Sequence, residues 1–154
     1  MFDERAELID ANRAAPAILR ALVRDVGDKR GQERAGEGEW AVVEIVAHLA
    51  DAERRVIDRV ALMTTEDSPV IEGYDQEVLA EERGYLRMSL AAALDRFERL
   101  RAEHVAQLEG LDEASWSRAG RHTEVGELTV QQLVAHRTKH DAIHLAQIAR
   151  MIGG

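Results

Sequence analysis

Three of the six histidines in this 154-residue chain fall four residues apart, in the stretch HRTKHDAIHLAQI from His136 to Ile148. Residues four apart lie on one face of an α-helix, so two imidazoles at this spacing can bind one metal ion. The spacing alone is a weak signal, because a solvated helix face can carry the same histidines. The choice between a metal site and a solvated face depends on which way each ring points.

Helical geometry makes the three histidines unequal. Each residue of a helix turns the next position by about 100°. The buried face is marked by Val130, Leu133, Val134, Leu145, Ile148, Met151 and Ile152. His144 then lies near the middle of that face and His140 at its edge, whereas His136 turns toward solvent. The pattern favours His140 and His144 as a pair of inward ligands.

The same face becomes polar for two turns, at Arg137, His140, Asp141 and His144. Burying an unsatisfied polar group costs roughly 1–3 kcal/mol, so a partner is expected across the bundle. The stretch EWAVVEIVAHLADAE can supply that partner. There, His48 borders the apolar stripe and Glu53 lies within it.

A third imidazole from another helix would complete a three-histidine site with open coordination positions, as in catalytic zinc sites. Asp141 is expected to orient a ligand or a bound water. Arg137 is expected to form an ion pair with Asp141 or Glu53, with a role as an anchor for a substrate anion as the alternative.

The remaining histidines and both tryptophans have less specific interpretations. His104 falls on the apolar stripe of its helix and is predicted to be packed in the core. His122 stands in a loop, at the surface or at the rim of a site. Trp40 and Trp116 are interpreted as packing anchors.

Four amphipathic helices must position these residues. Helical periodicity covers about residues 3–26, 41–63, 75–109 and 129–152, with Gly84 as an interruption of the third segment. Thr129 and Gln132 have the spacing of a capping box, and Gly153-Gly154 should end the last helix. Strand alternation is nearly absent. The pattern predicts an all-α, four-helix bundle as a single domain over residues 1–154.

Composition narrows the function. The net charge is -9, and the basic stretch GDKRGQER already contains Asp28 and Glu33, which disfavours nucleic-acid binding. Apolar runs are too short for a membrane span, and the N-terminus lacks a signal peptide, so a cytoplasmic protein is expected. Without cysteine, any metal must be held by nitrogen and oxygen ligands.

Two blocks of the sequence carry a family resemblance. EWAVVEIVAHLADAE and WSRAGRHTEVGELTVQQLVAHRTKHDAIHLAQIARM resemble the DinB-like superfamily, also called the DinB/YfiT-like metal-dependent hydrolases. The resemblance implies a four-helix bundle with a divalent metal on His48, His140 and His144. Ala41 departs from the family, which often has a serine cap there, and this weakens the helix start but not the site.

The resemblance also implies functions. Some relatives are thiol S-transferases that use mycothiol, bacillithiol or glutathione, and one branch is a mycothiol-dependent maleylpyruvate isomerase. We therefore expect a metal-dependent transferase or hydrolase in which a low-molecular-weight thiol, or water, attacks a small electrophile. Zinc is the first choice of metal, and nickel, iron and manganese also suit imidazole. The alternative is a non-enzymatic stress-response or interaction protein with a structural metal, and homodimers are expected from the family.

Overall fold

The computed structural model describes residues 1–153, which are mainly helical. The helices are α1 (Glu4–Leu22), α2 (Asp28–Gly31), α3 (Val42–Thr65), α4 (Gln76–Glu82), α5 (Leu90–Glu109), α6 (Glu113–Trp116) and α7 (Val130–Gly153), with a 3-10 turn at Tyr85–Arg87. Helices α1 and α3 each pack against both α5 and α7. The predicted all-α four-helix bundle is therefore confirmed.

Local sequence signals explain several helix ends. Thr129 Oγ1 accepts from the Gln132 amide at 3.1 Å, and Gln132 Oε1 accepts from the Thr129 amide at 2.9 Å, so the predicted capping box forms. Gly84 adopts φ 64°, a left-handed conformation that suits glycine, and separates α4 from the 3-10 turn. The predicted stop at Gly153-Gly154 reaches Gly154, which lies outside the described residues.

The core includes the predicted apolar stripe of α7, whose members are buried or partly buried. On α1, Ala15 and Leu19 are buried, but Ile18 is 52% exposed. Ile18 precedes Leu19 by one residue and is therefore turned about 100° away from the buried face. Within residues 1–153, no helix combines the length and apolar character that a bilayer span requires.

A three-stranded sheet forms from two segments that lie between the predicted helices. Strand β1 (Val70–Ile71) runs parallel to β2 (Ala119–His122), which pairs antiparallel with β3 (Gly126–Thr129). Gly120 permits the close approach, because a Cβ there would lie 3.0 Å from Ile71 Cγ1 and 3.2 Å from Met63 Cγ. The sheet thus packs onto the C-terminal end of α3 and leads directly into α7.

Candidate metal centre

Helices α3 and α7 bring the three predicted histidines together. His140 Nε2 lies 3.1 Å from His48 Nε2 and 3.1 Å from His144 Nε2. Zinc–nitrogen bonds of about 2.0–2.1 Å in a tetrahedral site separate two nitrogen ligands by about 3.3–3.4 Å. The three nitrogens lie close to this spacing, so a small shift lets them share one ion. Among residues 1–153, these histidines form the one group of three or more His, Asp or Glu residues whose ligand atoms lie within 4.8 Å of one another.

The surroundings keep these imidazoles neutral. Burial lowers the pKa of His48 to about 3, with help from the neighbouring His144 and Arg137. Burial also lowers the pKa of His140 to about 2, and Arg137 adds to the effect. Burial is also the main cause of the lowered pKa of His144. Neutral imidazole is the form that binds a metal, so protons do not compete for these rings near neutral pH.

The second nitrogen of each α7 ligand has a different partner. His144 Nδ1 lies 2.9 Å from Gln147 Oε1, so the ring donates there and directs the Nε2 lone pair into the cluster. His140 Nδ1 lies 2.7 Å from Arg137 Nη1, and a guanidinium can only donate. His140 Nδ1 is therefore the acceptor. The proton of the neutral His140 ring then lies on Nε2, which points at the other two histidines. Binding an ion requires His140 to change tautomer and Arg137 to move.

A buried ion-pair network lies beneath the histidines. Arg101 Nη2 lies 2.8 Å from Glu53 Oε2, while both Asp141 oxygens accept from Arg101 at 2.8 and 2.9 Å. The Arg137 Nε atom lies 3.5 Å from Glu53 Oε2. Burial by itself would raise the pKa of Glu53, but Arg101 and Arg137 hold it below its usual value. The network is thus ionised in the core.

This network shows the contacts of two residues that were expected near the site. Both oxygens of Asp141 accept from Arg101, and its expected role of orienting a ligand or a bound water stays a prediction. Arg137 does pair with Glu53, which was one of its two expected partners. The sequence interpretation missed Arg101, although a signal existed: Phe97, Arg101 and Leu108 share the buried stripe of α5.

The other histidines and the tryptophans lie as follows. His104 is fully buried on α5, as predicted, and His136 is exposed on α7. His122, left open between surface and site, is half-buried at the rim of a cavity beside the cluster. Trp40 and Trp116 are both buried, and the Trp40 ring centroid lies 5.0 Å from that of His48.

Two cavities reach the histidine cluster from different sides. One, of about 260 Å³, is bounded by α3, α7 and the β2–β3 turn, and touches His140. The other, of about 530 Å³, lies between α7 and the loop that precedes α3, and touches His144 and Trp40. The cluster is therefore accessible to small molecules and not closed off within the core.

Comparisons with known sequences identify a family and several relatives. The sequence pattern of the DinB superfamily matches residues 11–148. A protein of Geobacillus kaustophilus, whose name proposes a metal-dependent hydrolase, is 30% identical over 149 residues, covering 96% of this chain and 84% of that protein. A protein of Oceanobacillus iheyensis, whose name also proposes a metal-dependent hydrolase, is 27% identical over 145 residues, covering 94% of this chain and 84% of that protein.

Solved structures show the same fold. YfiT from Bacillus subtilis, described as having an unusual four-helix bundle topology, superposes with a TM-score of 0.84 at 24% identity. The match covers 99% of this chain and 90% of that one. The mycothiol-dependent maleylpyruvate isomerase has a TM-score of 0.77 at 15% identity, covering 96% of this chain and 63% of its own. At these identities the likeness concerns the fold alone.

Proposed function

The chain belongs to the DinB superfamily, and from that premise we propose that it is a divalent-metal-dependent enzyme whose ion is held by His48, His140 and His144. The observation that carries this proposal is the convergence of three neutral imidazoles at the spacing of metal ligands. The names of its sequence relatives, which propose metal-dependent hydrolases, support it. Zinc suits three imidazoles, as do nickel, iron and manganese.

Access to the cluster supports a catalytic rather than a structural ion. A closed structural site has four protein ligands, whereas three ligands leave a position for water or substrate. Here one cavity touches His140 and another touches His144, so two small molecules can approach the same centre. This arrangement suits a transfer between two substrates.

We propose that one of the two substrates is a low-molecular-weight thiol and the other a small electrophile. A bound divalent ion lowers the pKa of a coordinated thiol or water, which supplies the nucleophile near neutral pH. The chain contains no cysteine, so the thiol must be a cosubstrate. The shared fold with a mycothiol-dependent isomerase supports a thiol, and water in the same position would give a hydrolase.

Metal stoichiometry tests the centre directly. Protein purified without a histidine tag should contain about one divalent ion per chain by elemental analysis, and His144→Ala should lose it. His136→Ala is the matched control, because it removes an exposed histidine from the same helix. A metal content that His144→Ala leaves unchanged would reject the site.

A second assay separates transferase, hydrolase and structural roles. Metal-loaded protein is mixed with chlorodinitrobenzene, with and without a thiol such as glutathione, and chloride release is followed. Release above the protein-free rate only with the thiol supports the transferase, and release above the protein-free rate without the thiol supports the hydrolase. If panels of thiols and activated esters are all left unreacted while metal removal lowers only the melting temperature, the ion is structural.

A further inference from the structure

The cavity that touches His140 has basic walls. Its lining includes the guanidinium groups of Arg55, Arg59 and Arg137, against one carboxylate, that of Glu124. This local excess of positive charge is found in a chain whose net charge is -9. Such a concentration of like charges is unfavourable unless something in the cavity offsets it.

Two of these arginines have no acidic partner among residues 1–153. Within residues 1–153, neither Arg55 nor Arg59 has a carboxylate oxygen within 4.0 Å, whereas the adjacent Arg54 pairs with both Asp58 and Glu103. Instead, neutral groups hold them in place. The Arg55 guanidinium stacks 3.8 Å from the centroid of the Tyr74 ring. Arg59 Nη2 donates to the backbone carbonyl oxygen of Glu72, and not to its carboxylate, at 2.7 Å.

These contacts orient the guanidinium groups without neutralising them. Arg59 is half-buried, and its pKa is lowered by burial first, with Arg55 and Arg137 adding to the effect and Tyr74 and Glu124 opposing it. A partly desolvated cation with cationic neighbours gains most from an anion placed within reach. The planar fork of arginine matches a carboxylate with two parallel hydrogen bonds.

We propose that Arg55 and Arg59 bind a carboxylate group of the substrate in this cavity. The volume of about 260 Å³ is small for a ligand site, which favours a short organic acid. The proposal rests on the proposed function in one respect: the acid's reactive carbon would lie toward His140, where the metal centre is placed. The substrate class is therefore a small electrophile that carries a carboxylate.

Arginine side-chain NMR spectra can test the binding step. Full-length, zinc-loaded protein is titrated with carboxylates from acetate to glutarate, with the corresponding amides, and with inorganic phosphate. We expect carboxylates, but not amides, to shift the Nε–H signals of Arg55 and Arg59. Arg59→Gln should weaken carboxylate binding about tenfold or more, the scale of one lost charge-assisted interaction. Arg55→Gln provides a second variant, and Arg54→Gln is the matched control that should bind as wild type does.

Three results would overturn the proposal: no carboxylate shifts the two signals, Arg59→Gln and Arg55→Gln bind as wild type does, or phosphate binds where no carboxylate does. The titration is repeated on His144→Ala without metal, because Arg55 and Arg59 do not belong to the histidine cluster. Carboxylate binding by a wild-type protein that takes up no divalent ion would reject the proposed enzyme and keep the carboxylate site. Metal uptake without carboxylate binding would reject only the carboxylate site.

Discussion

At the residue scale, the two inward histidines of α7 are held by partners of opposite chemistry. The amide oxygen of Gln147 accepts from His144 Nδ1 and leaves Nε2 free for an ion. The Arg137 guanidinium donates to His140 Nδ1 and leaves a proton on Nε2. Arg137 also places a positive charge beside the proposed cation. Gln147 should therefore favour metal binding and Arg137 should oppose it.

Substitutions of these two partners should change zinc affinity in opposite directions. Gln147→Leu should weaken it by about tenfold or more, because His144 loses the acceptor that fixes its tautomer. Arg137→Gln should strengthen it by about tenfold, because a positive charge is removed and an amide oxygen can accept from His140 Nδ1. Competition with a chelating dye at fixed pH measures both. If Arg137→Gln weakens binding as much as Gln147→Leu does, this account of Arg137 is wrong.

At the scale of secondary-structure elements, one side chain of α5 connects the four long helices. Arg101 donates to the Asn12 carbonyl of α1 at 2.9 Å, to Glu53 of α3 and to Asp141 of α7. It is 1% exposed. Both carboxylates depend on this guanidinium for neutralisation in the core, so the network is costly to break from one side.

Arg101→Met should destabilise the fold by roughly 3–5 kcal/mol, because it leaves two buried carboxylates short of their common partner. Urea unfolding followed by circular dichroism measures the loss. Arg99→Met is the control, since Arg99 is exposed on the same helix and should change the free energy of unfolding by less than about 0.5 kcal/mol. A loss for Arg101→Met no larger than that of Arg99→Met would show that the network does not stabilise the bundle.

Hydrophobic periodicity predicts the four long helices and misses the short β-strands. Buried stripes of α1, α3, α5 and α7 repeat over several turns, so the sequence indicates them strongly. The strands Ala119–His122 and Gly126–Thr129 have four residues each and little β-branched character. The partner of the first, Val70–Ile71, lies far away in the chain. No local pattern could report that pairing, because it depends on how the ends of α3 and α7 meet.

The same distinction applies to the site. The inward direction of His140 and His144 follows from the spacing within one helix, and the choice of His48 follows from its stripe and from the resemblance. The real partner of Asp141 could not be predicted, because Arg101 lies on another helix and competes for the same carboxylate. Contacts between helices depend on packing, which one helix's periodicity does not encode.

At the scale of the whole molecule, the ionisable groups of the interior make stability depend on pH. Burial lowers the pKa of His48, His104, His140 and His144 from an ordinary value of 6.5. Below that pH the unfolded chain takes up protons that the folded chain refuses, so stability falls as pH falls. Glu53 acts in the same direction at lower pH, because its lowered pKa gives stability that acid removes.

A homodimer and a cytoplasmic location, both expected from the sequence, stay predictions.

The metal-free protein should therefore melt at a clearly lower temperature at about pH 5.5 than at about pH 7.5. For each proton that the unfolded chain binds and the folded chain does not, the free energy of unfolding falls by at most about 1.4 kcal/mol per pH unit below the unfolded pKa. Calorimetry in a chelator across this range measures the slope. His104→Gln should flatten it, because one buried imidazole is removed while the three clustered histidines remain. A melting temperature that does not change between the two pH values would show that the buried histidines are protonated in the folded protein.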